Sequence, residues 1–349
     1  MPWSKIKPEQ SEPDYNDITG KDRRVISYAD AIRESLDQAL TLDPNVFVMG
    51  QGVDDPVGMF GATLNLHEKY GRERVFDTPL AENGLTGIAV GAAIGGLRPV
   101  YFHNRPDFLL LAMDQIVNHA SKWHYMFGGA VNVPLVIWAC IGRGWGSAAQ
   151  HSQALQGLFM HIPGLRLIMP ATCYDAKGLM LSAIADNNPV IIIENRFNFK
   201  HTGFVPEKPY RIPIGKGIVR KQGKDITIIA SSYMVTESYN AALELAKEGI
   251  DAEVIDLRTL RPLDEALILT SVKKTGRVVV VDTGWKTGGV TAEIAALIVE
   301  KGFDFLNAPI LRVACPDVPT PAGYTLEEAF YVGMPEIIMA ARRLMKSKD

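Results

Sequence analysis

The order of apolar segments predicts a doubly wound α/β protein built from two domains in tandem. Three observations carry this. Short continuous apolar runs, such as Pro134-Leu-Val-Ile-Trp138 and Pro189-Val-Ile-Ile-Ile-Glu194, read as strands of a parallel sheet covered on both faces. They alternate with amphipathic stretches of helical length, the pattern of βαβ units. The alternation stops once, at residues 200–223, where Pro206, Pro209 and Pro213 stand among charged residues and glycine, and then resumes. At 349 residues the chain is long enough for two cores.

Composition narrows the function classes. Hydrophobic residues make up 47% and charged residues 21%, ordinary values for a globular protein. A net charge of −3 gives no pull toward nucleic acid or an anionic membrane. Every long apolar run is broken by charge or frequent glycine, so no transmembrane span is expected. The start, Met1-Pro-Trp-Ser-Lys-Ile-Lys-Pro8, is polar and lacks a signal-peptide core. Cys140, Cys173 and Cys315 are widely spaced and odd in number, which suits a reducing cytoplasm and offers no metal-ligand spacing.

Residues 1–23 hold three prolines and many charges without periodicity, and read as an arm that is disordered alone or draped over a partner. Ser27-Tyr-Ala-Asp30 is a helix start, and Ile32, Leu36 and Leu40 give that helix one apolar face. Val46–Gly50 is a buried strand, followed by a glycine-rich loop in which Asp54-Asp55 reads as solvated turn chemistry rather than a metal site. A helix begins near Glu82 and a strand covers Arg98–Phe102. One long amphipathic helix is expected from Asp107 to about Phe127. Gly142-Arg-Gly144-Trp-Gly146 lacks the spacing of a dinucleotide-binding loop. Strand 165–170, helix 174–185 and strand 189–194 complete the first domain. The second repeats the alternation through strands 226–230, 252–257, 277–281 and 310–313 and helices 235–248, 264–274 and 291–300. Thr325-Leu-Glu-Glu328 has the form of a capping box, and a last amphipathic helix runs from about Glu336 to Met345.

The segment from Phe76 to Gly129 holds the chemistry. Glu82 precedes an apolar stretch with no other charge until Arg98. A carboxyl group so placed is poorly hydrated and can hold or share a proton near neutral pH. The alternative is a plain dipole or cap contact at a helix start. Gly87, Gly91 and Gly95 recur every fourth residue and line one helix face, at roughly 1 kcal/mol each against alanine. Such a stripe lets another backbone approach closely, either in the core of this chain or across an assembly.

Glu82-x4-Gly87, Asp114-Gln-Ile-Val-Asn118, Gly128-Gly129 and His151-Ser152-Gln153 occur in this order and spacing. The ordered set resembles the beta subunit of the thiamine-diphosphate-dependent E1 component of 2-oxo acid dehydrogenase complexes, the family of pyruvate, branched-chain and acetoin dehydrogenases. The resemblance runs from about Val25 to about Leu344. It implies a transketolase-like pyrimidine-binding domain over 24–204, a linker over 205–223 and a transketolase C-terminal-like domain over 224–349. It implies thiamine diphosphate with Mg²⁺ as cofactor. By the resemblance, Glu82 is the carboxyl group that hydrogen-bonds the aminopyrimidine, Phe108 the aromatic shelf under that ring, and His151 the group that handles protons at the reacting carbon.

The family's diphosphate and Mg²⁺ sites need a Gly-Asp-Gly, and this chain has none. The resemblance therefore implies no metal ligand here, an active site shared with an alpha subunit in an α2β2 heterotetramer, and in the complexes a lipoyl-bearing E2. Departures lie nearby. Many members read Glu-Ile-Gln-Phe-Ala-Asp where this chain reads Phe102-His-Asn-Arg-Pro-Asp107. Asn104 and Arg105 thus fall at positions near the substrate, as does Arg143 in the loop before His151. Residues 282–289 also lack the more usual glutamate after the strand. Arginines there suit a phosphate or extra carboxylate, which keeps a second reading in play: half of a split transketolase-like or acyloin-forming enzyme acting on an anionic substrate. A third, a non-enzymatic assembly protein, fits poorly with Glu82, Phe108 and His151 all present.

Overall fold

The computed structural model describes residues 2–6, 8, 24–55, 58–142 and 146–346. It divides into two compact units, one of Met1–Ile141 with Phe159–Ile214 and one of Gly142–Leu158 with Gly215–Asp349. The segment 142–158, expected in the first domain, is thus grouped with the second. The expected linker is divided as well. Val205, Tyr210 and Ile212 are buried in the core of the first unit, and the second begins at Gly215.

In chain order the elements of the first unit are β1 (Val25–Ser27), α1 (Tyr28–Leu42), β2 (Val46–Gly50), α2 (Leu66–Tyr70), β3 (Val75–Asp77), α3 (Glu82–Ile94), β4 (Arg98–His103), α4 (Pro106–Leu109), α5 (Trp123–Met126) and β5 (Val136–Ile141). A short helix α6 (Gln156–Met160) precedes β6 (Arg166–Ile168), α7 (Cys173–Ala185), β7 (Val190–Asn195) and β8 (Thr202–Phe204). The main strands run β6-β7-β5-β4-β2-β3, and every pairing among them is parallel. β5 and β7 are buried at every residue, which is why their sequences are continuous apolar runs. α1 starts where the Ser27 hydroxyl accepts from the Asp30 amide, and it buries Ile32, Leu36 and Leu40 as expected.

Three expectations change. The N-terminal arm docks on its own unit at residues 2–6: Trp3 and Ile6 are buried, and the Trp3 indole donates to Asp43 at 2.8 Å. The rest of the arm, apart from Pro8, lies outside the described residues. The long helix expected over 107–127 is broken into α4, a 3-10 turn at Leu110–Ala112, a π-helical stretch at Asp114–Ala120 and α5. Asn118 and Asp114, hydrogen-bonded at 2.7 Å, and the Ser121 hydroxyl, which donates to the Val117 carbonyl at 2.7 Å, brace the wider turn. Thr325–Glu328 forms no capping box. The helix there is already under way, with Gly323 as its N-cap and no side-chain cap. The capping box that does form, Thr172 with Asp175 at the start of α7, was not read from the sequence.

The second unit holds β9 (Ile218–Lys221), β10 (Ile226–Ala230), α8 (Tyr233–Lys247), β11 (Ala252–Asp256), β12 (Thr259–Arg261), α9 (Glu265–Thr275), β13 (Val278–Trp285), α10 (Val290–Gly302), β14 (Leu311–Cys315), α11 (Tyr324–Phe330) and α12 (Met334–Lys346). Its sheet runs β14-β13-β10-β11-β9, parallel except for β9 against β11. A buried ion pair, Arg220 to Asp256 at 2.7 Å, holds that antiparallel edge.

One buried acid in the first unit makes stability depend on pH. Glu194, the penultimate residue of β7, is fully buried and accepts a hydrogen bond from Tyr28, the first residue of α1. Burial pushes its carboxyl up to about 8. The fold therefore keeps a proton that the unfolded chain releases above about pH 4.5, and the stability this gives is lost as pH rises through about 8. Glu194→Gln keeps the volume and removes the titration. Urea unfolding between about pH 5 and pH 8 should show a shallower decline for the variant than for the parent chain. Equal slopes would mean that Glu194 ionises in the fold as it does in water.

Candidate active site

Strand direction gathers the first-unit residues. β2 pairs with β3 on one side and β4 on the other, all parallel, so the loops leaving their carboxyl ends diverge at a topological switch point. Glu82 opens α3, just past the end of β3. It is half-buried, and its N-cap, Ala81, supplies no side-chain cap. Past the end of β4 come Asn104, Arg105 and then α4 with Phe108. Asn104 is exposed and donates to the Gln51 side chain at 3.0 Å, tying the end of β4 to that of β2. Asp77 accepts from the Gly52 amide at 2.6 Å, tying β3 to the same loop.

Phe108 and Arg105 are both half-buried. Arg105 is the N-cap of α4, and its charge is felt by the Cys140 thiol near the end of β5, although burial dominates there and pushes that thiol up to about 12. Behind Glu82 lie two groups that sequence reasoning missed. Tyr101 is buried, and burial pushes its hydroxyl up to about 12, with Glu82 adding to the rise. Its ring lies 4.0 Å from that of His103. Burial pushes His103 down to about 3, so it stays neutral, and its Nε2 finds no hydrogen-bond partner among the described residues. The only signal was a histidine inside an otherwise apolar strand.

His151 belongs to the second unit. It is exposed, with its amide donating to the Ala148 carbonyl at 3.4 Å. Gln150 and Gln153 beside it help line an open cavity of about 760 Å³ with Trp285, Thr287 and Asp317. Arg143 and Trp145 lie outside the described residues. Glu82, Phe108, Asn104 and Arg105 thus share one end of one sheet, and His151 is presented by the other unit. A carboxyl group and an aromatic side chain at one edge of one sheet are the residue types that the pyrimidine end of thiamine diphosphate needs. Among the described residues no cluster of three or more His, Cys, Asp and Glu could hold a metal ion.

The glycine stripe is open at Gly91, where a Cβ would meet nothing within 4 Å; at Gly87 it would meet the Gln115 side chain at 3.2 Å, and at Gly95, the C-cap of α3, the Ala92 carbonyl at 3.3 Å. The reading of α3 as a core helix therefore holds for one face only. Ile88 on α3 and Leu111, Tyr125, Met126 and Phe127 on the helical run after it are largely exposed, at 63%, 60%, 88%, 63% and 52%. Large apolar side chains gathered in this way mark an interaction surface.

Residues 24–201 match the transketolase pyrimidine-binding domain and residues 215–337 the transketolase C-terminal domain. This defines the class, a transketolase-type fold with a pyrimidine-binding domain followed by a C-terminal domain. The chain belongs to the beta subunits of thiamine-diphosphate-dependent E1 enzymes. It is 41% identical over 334 residues to the beta subunit of acetoin:2,6-dichlorophenolindophenol oxidoreductase of Bacillus subtilis, covering 92% of this chain and 98% of that one. It is 43% identical to the mitochondrial pyruvate dehydrogenase E1 component subunit beta-1 of Arabidopsis thaliana, covering 92% and 89%. Among solved structures, a split-gene transketolase, described as an inactive beta4 tetramer, superposes with a TM-score of 0.73 at 25% identity, covering 93% of this chain and 99% of that one.

Gly91→Ala tests whether the stripe is free in the lone chain. With open space for the methyl group, alanine should stabilise the isolated subunit by roughly 0.5–1 kcal/mol in denaturant unfolding. A loss of stability would show that α3 packs against its own unit.

Proposed function

We propose that this chain is the beta-type subunit of an E1-like enzyme that decarboxylates a 2-oxo acid and transfers the resulting acyl or aldehyde unit. An alpha-type subunit shares the active site in an α2β2 assembly and holds the diphosphate and Mg²⁺, and a lipoyl-bearing E2 takes the acyl unit. The observation that carries this reading is the placement of Glu82 and Phe108 at the carboxyl ends of β3 and β4, on either side of β2. Bound there, the cofactor supplies a carbanion-stabilising centre for decarboxylation. Glu82 holds a proton at N1′ of the aminopyrimidine, Phe108 supports the ring, and His151 donates or accepts a proton near the reacting carbon. Asn104 and Arg105 face the substrate.

Glu82 is only half-buried in the lone chain, so the desolvation its role needs requires a partner over α3 and the run after it. The exposed Ile88, Tyr125, Met126 and Phe127 and the open stripe at Gly91 suit that cover. Three free, buried cysteines support a reducing compartment, the cytoplasm. No helix among the described residues is long and apolar enough to cross a membrane.

The second reading, a split transketolase-like enzyme with an anionic substrate, draws on Arg105, half-buried at the N-cap of α4 just past β4. Arg105→Phe separates the two. It should raise the ratio of kcat/KM for an apolar 2-oxo acid over a dicarboxylic or phosphorylated analogue if Arg105 recognises an anion, and leave that ratio alone if it is structural.

Two outcomes test the main reading. The isolated chain should bind thiamine diphosphate weakly even with Mg²⁺, as calorimetry would show; tight binding without an alpha chain would rule out the shared site. In the assembled enzyme Glu82→Gln should slow exchange of the cofactor's C2 proton by orders of magnitude, read by NMR, while the assembly persists. An unchanged rate would reduce Glu82 to a helix-end residue.

A further inference from the structure

The segment that presents His151 is seated on the second unit around one buried polar contact. Gln156, wholly buried, donates its side-chain amide to both carboxylate oxygens of Asp282, each at 3.0 Å. The Thr283 hydroxyl is 3.4 Å from the same nitrogen, and the Gly284 amide donates to Asp282 at 3.1 Å. Asp282 is itself buried, near the end of β13.

Around this contact there is no room for a side chain at Gly284; at Gly157 and Gly146 the neighbouring backbone lies at ordinary contact distance. A Cβ on Gly284 would lie 2.7 Å from Asp282 Oδ2 and 3.4 Å from the Ala154 carbonyl. One on Gly157 would lie 3.4 Å from the Gly289 Cα, and one on Gly146 would lie 3.5 Å from the Ala322 carbonyl. Ser152, next to His151, is buried, but its hydroxyl finds no partner among the described residues. Gln156 is therefore a buried side-chain anchor of this segment. Neither residue of the pair has a part in the chemistry proposed above, and a buried carboxylate persists only where donors meet it.

We infer that Gln156 and Asp282 are positioning residues for His151: their buried amide–carboxylate contact fixes the segment that holds the imidazole toward the reacting carbon. The inference rests on the proton-handling role proposed for His151. Gln156 ties this stretch to a buried residue of β13. The imidazole then inherits the precision of β13, where a loop alone would let it wander. A displacement of about 1 Å at a catalytic group can cost up to a hundredfold in rate.

The test uses the assembled enzyme with thiamine diphosphate and Mg²⁺, and the variants Gln156→Met, Asp282→Asn and His151→Ala. Gln156→Met should lower kcat by roughly tenfold to a hundredfold, with cofactor affinity by calorimetry unchanged. Amide hydrogen exchange of residues 146–156 should speed up. Asp282→Asn keeps the volume and one acceptor and should fall between Gln156→Met and the parent in both measurements. If His151→Ala depresses turnover while Gln156→Met and Asp282→Asn change neither exchange nor kcat, the positioning role is overturned and the role of His151 stands. If His151→Ala leaves turnover intact, the role of His151 falls and the positioning role with it; faster exchange in Gln156→Met would then mark a purely structural anchor.

Discussion

The common direction of β2, β3 and β4 is the constraint on which the site depends. Parallel strands need crossovers that return over the faces of the sheet, so every carboxyl end opens on the same edge. Because β3 and β4 flank β2, the chain leaves that edge in two directions and a crevice opens between the loops. Glu82 and Phe108 come from separate crossovers, yet strand direction alone brings them to one edge. The short ties from Asn104 to Gln51 and from Gly52 to Asp77 then fix how far apart the strand ends stand. Next to that edge β4 is buried at every residue but Arg98, and β5 and β7 throughout.

Much of this was legible in the sequence, and the parts that were not have physical reasons. Strands such as Val136–Ile141 and Val190–Asn195 announce themselves because both faces are covered, and the α1 start is written in Ser27 and Asp30. Glu82 and Phe108 were picked out by the resemblance, and they fall just past β3 and just past β4. The break after Asp107 was invisible, since a π-helical turn keeps nearly the same apolar spacing as an α-helix and is chosen by local bonds such as Asn118 to Asp114. The grouping of 142–158 with the second unit goes with contacts such as Gln156 to Asp282, between residues far apart in sequence, which periodicity cannot reveal. Trp3 looked like part of a loose arm, because nothing local shows that its indole will find Asp43.

The first unit keeps several ionisable groups neutral near its working edge. Burial holds His103 uncharged and pushes Tyr101, Cys140 and Glu194 upward. Around neutral pH these buried groups therefore add little charge at the carboxyl edge of the sheet. The outer face is organised differently. It carries Gly91, with open space around it, and large exposed side chains such as Ile88, at a cost to the lone subunit.

That outer face also bears on how a cell must make the protein. Tyr125, Met126 and Phe127, displayed to water at the end of the helical run, are what chaperones and proteases read as an unfinished product. A subunit made in excess of whatever covers this face would be cleared or would aggregate, however stable its two cores. The abundance of the working enzyme is then set by its scarcer component, so matched synthesis of the subunits follows from the side chains after α3.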